Sequence, residues 1–132
     1  MQPQPASTTG FDSEALGNTA LTAFFHITAG WGLSADEERV LLGSPPRSTF
    51  FKWKSERAAR LSADTLERIS YVMGIYKALR ILLPNEESAN AWVKKPNSAP
   101  LFGGKSALAK MLAGRVIDLA DVRRYLDAER GW

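Results

Sequence analysis

The single histidine of the chain, His26, stands between Phe25 and Ile27 in an apolar run. That setting suits a packing residue of a helix better than a catalytic base. There is no cysteine, hence no thiol nucleophile and no disulfide. One histidine without cysteine excludes the common zinc sites. Gly103-Gly104-Lys105-Ser106 echoes the end of a phosphate-binding loop, but lacks the upstream glycine and the preceding strand. No Ser/His/Asp arrangement stands out either. The sequence therefore predicts no enzyme, no metal and no cofactor. The chemistry within its reach is recognition.

Residues 47–60 hold five bases and one acid. They follow Gly43-Ser44-Pro45-Pro46, a rigid turn after a short apolar helix. Two short helices joined in this way fit a helix-turn-helix. Phe50 and Trp53 would anchor one side of the second helix in the core. Ser48, Thr49 and Lys52 would then reach base edges, while Arg47, Lys54 and Arg57 would contact phosphates. A merely solvated basic face is the plainer alternative. Charge is divided along the chain: residues 1–38 carry five acids and no Lys or Arg, whereas residues 39–132 carry all 17 bases against nine acids. A basic body with a pI near 9.4 permits nucleic-acid binding without specifying it.

The elements that must position these residues read as helices throughout. Residues 1–10, MQPQPASTTG, read as a disordered tail. Helix one is expected over Ser13 to Thr28, with Leu16, Ala20, Phe24 and Ile27 as its buried stripe. Helix two starts at Ser34, where Ser34 and Glu37 form a capping box, and stops at Gly43. Helix three runs to about Ala59. Helix four, capped by Ser62, carries Leu66, Ile69, Met73, Tyr76 and Leu79 on one row and Val72, Ile75 and Leu82 on another, and ends at Pro84. Helix five starts at Asn85 and ends at Pro96, with Lys94 and Lys95 at its negative end. Helix six is expected over about 105–113 and helix seven over about 119–129, with Val122, Tyr125 and Leu126 inward. The fold class is all-α, about seven helices. At 132 residues with 45% hydrophobic content the chain can bury a core. The apolar stretch Tyr71 to Leu83 contains Lys77 and Arg80, and the N-terminus lacks a signal-peptide pattern, so a cytoplasmic protein without a membrane association is expected.

The C-terminal third carries the most information. Ala91-Trp92 leads to Pro96-Asn97, then Leu101-Phe102-Gly103-Gly104, then Leu112-Ala113-Gly114, then Leu126. This order resembles the toxin-binding domain of the Xre/MbcA/ParS antitoxin family. The segment Leu41 to Lys54 resembles the Xre-like helix-turn-helix of the same family. Together the likeness covers about residues 14–131, with residues 11–60 as the helix-turn-helix half and residues 61–132 as the toxin-binding domain. It implies an antitoxin of a type II toxin-antitoxin system, bound in a hetero-oligomer to a RES-domain toxin. Such toxins consume NAD or transfer ADP-ribose from it, and the antitoxin blocks the NAD pocket. It further implies a homodimer through the N-terminal half and, more weakly, repression of its own operator DNA.

Filling a dinucleotide pocket requires apolar bulk beside polar groups that mimic the ligand. The tail offers Trp132 as a flat anchor, with Glu129 as an anion and Arg130 beside it. The loop 96–104 offers Asn97, Leu101 and Phe102. Trp92, Arg123 and Arg124 complete the expected toxin-binding set, tryptophan and arginine being frequent interface anchors. The competing expectation is a stand-alone DNA-binding transcriptional regulator with a C-terminal dimerisation module. A scaffold that takes a partner helix beside helix four is a third.

Overall fold

The computed structural model describes residues 13–131. The expected tail at 1–10 and the anchor Trp132 lie outside the described residues. Among the described residues seven α-helices follow one another: α1 Ser13–Gly30, α2 Ala35–Leu41, α3 Arg47–Glu56, α4 Ala63–Leu82, α5 Glu86–Ala91, α6 Ala107–Met111 and α7 Val116–Glu129. A 3₁₀ turn, Trp92–Lys94, continues α5. Among the described residues there is no strand, only an antiparallel bridge between Pro96 and Ser106. The all-α expectation is met.

Helix α4 is the spine. Ile69, Val72, Ile75 and Leu79 are fully buried, with α1 packed on one side and α7 on the other. Leu21, Phe24 and Phe25 of α1 and Leu119, Val122 and Leu126 of α7 complete a single core. The Ser62 hydroxyl caps α4 by accepting from the Thr65 amide at 3.1 Å. The capping box of α2 is present: the Glu37 amide donates to Ser34 Oγ at 3.1 Å, and the Ser34 amide donates to Glu37 Oε1 at 2.9 Å.

The turn between α2 and α3 holds two consecutive left-handed residues, Gly43 at φ 94° and Ser44 at φ 56°. The first suits only glycine. Arg39 braces the turn by donating to the Pro45 carbonyl at 2.8 Å. Beneath it lies a buried polar link. Glu38 accepts from the Thr28 hydroxyl at 2.6 Å and from Lys54 Nζ at 2.7 Å. One carboxylate thus ties α1, α2 and α3 together. Replacing Lys54 with methionine strands that charge with the hydroxyl alone, and is expected to cost about 2 kcal/mol. The urea midpoint of the variant measures it, and an unchanged midpoint would dismiss the link.

Several expected details differ. Leu16 is 50% exposed, and Gly17 takes its place against the core because α1 closes there on the Ala59 carbonyl. Met73 is likewise exposed. His26 is not packed within α1; it is exposed, its ring edge-on to Tyr76 at 6.4 Å. Helix α3 stops at Glu56, three residues early, because Arg57 adopts a left-handed cap at φ 60°. Lys94 does not serve the end of its own helix. It reaches across to the Gly32 carbonyl at 2.7 Å, and so caps the chain leaving α1. Helix α7 begins at Val116, three residues before the expected Leu119, because Asp118 caps it.

Candidate functional site: two recognition surfaces

The first surface is α3. Arg47, Ser48 and Lys52 are exposed and Thr49 is half-buried, so the N-terminal turns of the helix face outward. Arg47 pairs with Asp36 at 3.0 Å and lies 5.7 Å from the Phe51 ring. Both groups of that pair are largely exposed, so it is weak and exchangeable. Phe50 is buried and Trp53 half-buried, as an anchored helix requires. Lys54 and Arg57 are turned to the body instead. Lys54 holds Glu38, and the Arg57 guanidinium lies 4.9 Å from the Phe25 ring while its Nε donates to the Lys54 carbonyl at 2.9 Å. The outward polar set of this helix is therefore Arg47, Ser48, Thr49 and Lys52.

The second surface is built by the C-terminal helices. Trp92, Phe102 and Tyr125 form one aromatic cluster. Phe102 stands edge-on to Trp92 at 5.9 Å and to Tyr125 at 5.1 Å, while Trp92 and Tyr125 are nearly parallel, with centroids 6.4 Å apart. Such contacts add to plain burial. Phe102 is only 5% exposed and plugs the space between the loop and α7. Leu101, beside it, is 36% exposed at the loop surface.

Asn97 shapes the loop. Its side-chain oxygen accepts from the Ala99 amide at 2.8 Å, and its backbone exchanges hydrogen bonds with Lys105 and Gly104. Gly103 and Gly104 have positive φ with open space around them. Backbone geometry, not a neighbour, requires glycine there.

Charge on α7 is almost fully paired within the chain. Asp118 is completely buried and accepts from the Arg115 amide at 3.1 Å, the Arg115 guanidinium at 3.0 Å and Lys110 at 3.0 Å. These donors, Arg115 first, outweigh burial and hold its carboxyl far below the usual carboxylate range. Asp118 in turn raises the Lys110 pKa. Asp121 pairs with Arg124 at 3.0 Å and with Lys110 at 3.4 Å. Asp127 pairs with Arg123 at 3.2 Å and lies 3.6 Å from Arg130. Arg123 also lies across Gly74 of α4. Glu129 is exposed and forms no ion pair among the described residues.

Two open grooves flank α4. The first, about 220 Å³, is lined by Leu79, Leu82, Leu83, Trp92, Tyr125 and Glu129. The second, about 360 Å³, is lined by His26, Met73, Tyr76, Lys77 and Arg123 among others. The sequence marks Trp92, Glu129 and Arg123 as site residues, but not Tyr125 or the leucines. Leu79, Leu82 and Leu83 read as ordinary core, and only the close of α4 at Pro84 hinted that the last of them stay accessible. No group of acids and histidine among the described residues is placed to hold a metal ion. No described helix is long and apolar enough to cross a membrane.

Residues 78–131 match the antitoxin Xre/MbcA/ParS C-terminal toxin-binding domain. Residues 11–74 match the antitoxin Xre-like helix-turn-helix domain. The uncharacterized protein y4oB of Sinorhizobium fredii (strain NBRC 101917 / NGR234) is 56% identical over 111 residues, which cover 84% of this chain and 84% of that protein.

Proposed function

Because the chain belongs to the Xre/MbcA/ParS family of antitoxins, we propose that it neutralises a RES-domain toxin by keeping NAD out of that toxin's pocket, without catalysis of its own. The observation that carries this reading is the match of residues 78–131 to a toxin-binding domain, a stretch that exposes Leu101 on its loop and Arg124 and Glu129 on α7. Trp92 and Tyr125 are half-buried and line the groove in the same region. Asn97 and Phe102 support the loop from within, so their contribution to the partner is to set the shape of what Leu101 presents. Arg123, Arg130 and Trp132 belong to the same proposed contact region. The proposed setting is the cytoplasm, with the chain acting as a homodimer through its N-terminal half.

The helix-turn-helix gives this antitoxin a second surface, and we propose operator DNA as its ligand. The outward Arg47 and Lys52 support that reading. Affinity recovery of the tagged chain from its native cells, with mass spectrometry of what accompanies it, tests the first proposal. A stoichiometric RES-type partner is expected. DNA released by salt, with no protein partner, would instead favour the stand-alone regulator.

A paired variant separates the two surfaces. Arg47→Ala with Lys52→Ala is expected to lower the logarithmic salt slope of DNA binding by about one unit, for the phosphate contact of Arg47, and to relax base discrimination through Lys52. Toxin neutralisation should stay intact. Lost neutralisation in this variant would place the toxin contact on α3.

A further inference from the structure

We propose that the groove between the end of α4, the 3₁₀ turn and α7 seats a single arginine side chain presented by the partner protein; this rests on the toxin-binding role proposed above. Three observations converge on it. The groove walls are apolar, supplied by Leu79, Leu82 and Leu83, and suit the aliphatic stem of a long cationic side chain. Trp92 and Tyr125 stand beside them with their rings inclined by only 21°. A planar guanidinium lies flat on such faces and gains stacking as well as cation–π attraction, whereas an ammonium gains only the latter.

The third observation is charge. Asp118, Asp121 and Asp127 of α7 are each held by cations of this chain. Glu129 alone among the acids of α7 has no such partner among the described residues, and it lies at the groove. An uncompensated carboxylate beside an apolar slot selects a cation with an apolar stem. The size agrees. At about 220 Å³ the groove falls below the roughly 300–1,000 Å³ typical of small-molecule sites, and is right for one side chain. Every residue named in it falls within the stretch that matches the toxin-binding domain.

The test needs no toxin. The full chain is titrated with the peptide acetyl-Ala-Arg-Ala-amide and with its citrulline counterpart, which keeps the shape and loses the charge. The Trp92 indole and the Tyr125 ring are followed by NMR. Saturable shifts at both rings are expected with arginine, with affinity about tenfold weaker for citrulline and for Glu129→Gln. Equal shifts with both peptides, or none at these rings, would overturn the proposal. So would shifts seen only after Trp132 is deleted, because the occupant would then be the chain's own last residue.

A second arm uses the toxin recovered from cells. Glu129→Arg should abolish its co-purification, and full retention would refute the groove as the seat. Peptide binding that persists while no toxin is ever recovered would sink the antitoxin reading and leave the groove standing.

Discussion

Replacing Asp118 by alanine is expected to cost the fold about 3 kcal/mol, with the loss concentrated in the C-terminal helices. The carboxylate has no exposure of its own, and it does three things at once. It caps the start of α7 through the Arg115 amide, fastens α6 through Lys110, and draws in the Arg115 guanidinium. Arg115 is itself mostly exposed, so its share is screened by solvent. The cap and the α6 link supply most of the effect. The sign with pH follows from linkage. The folded pKa lies below the unfolded one, so the unfolded state binds the proton more readily. The stabilisation is complete above the unfolded carboxylate pKa of about 4 and is lost progressively as pH falls below it. Asp118→Asn should therefore flatten the stability curve on the acid side of about pH 4. Urea midpoints measured from neutral pH down to about pH 2 decide the matter. Parallel curves for wild type and Asp118→Asn would remove Asp118 from the acid response.

The second large effect reverses an ordinary rule. Gly17 sits inside α1, where glycine to alanine normally stabilises a helix by about 1 kcal/mol. Here the added methyl would run into the Ala59 carbonyl oxygen. That oxygen belongs to backbone that cannot turn aside as a side chain would. The Asn18 amide holds the same strand of loop from next door, donating to the Arg57 carbonyl at 2.8 Å. Gly17→Ala is therefore expected to destabilise by about 3 kcal/mol, a fall in Tm of roughly 10 °C. Thr19→Ala, at an exposed position of the same helix, serves as control and should be neutral or slightly stabilising. A Gly17→Ala protein as stable as the control would show that α1 does not approach the loop so closely in solution.

Much of the architecture was legible because local chemistry decided it. Ser34 with Glu37, Ser62 before a polar turn, Asn85 after Pro84, and the buried row of α4 each marked an element that the structure contains. What escaped depended on partners distant in sequence. Leu16 and Gly17 exchanged roles because of a carbonyl 42 residues away. Nothing in the local sequence marks Glu38 as buried, and only Thr28 and Lys54 together make its burial tolerable. Lys94 crosses 62 positions to reach Gly32. Arg57 in a left-handed cap broke a pattern that favours glycine there.

The recognition surfaces divide the same way. On α3 the outward placement of Arg47, Ser48 and Lys52 followed from its own sequence, since Phe50 and Trp53 fix which side turns inward, whereas Lys54 and Arg57 turn to the body because Glu38 and the Phe25 ring hold them there. The groove beside Trp92 could not be read, because it exists only where the ends of two helices and a 3₁₀ turn meet. Glu129 stands out in the sequence as an anion, yet its significance comes from its neighbours: the other acids of α7 are already paired with cations of this chain.

The two matched stretches, 11–74 and 78–131, meet inside α4, whose twenty residues pack on α1 and on α7 alike. The chain therefore has no seam at which its halves could be inherited separately. A crossover that joined this helix-turn-helix half to a relative's toxin-binding half would also have to splice a continuous helix in register, core row to core row. Such hybrids should survive only between relatives whose α4 is interchangeable. The helix-turn-helix half and the toxin-binding half are then passed on as a unit, held by the packing of one helix.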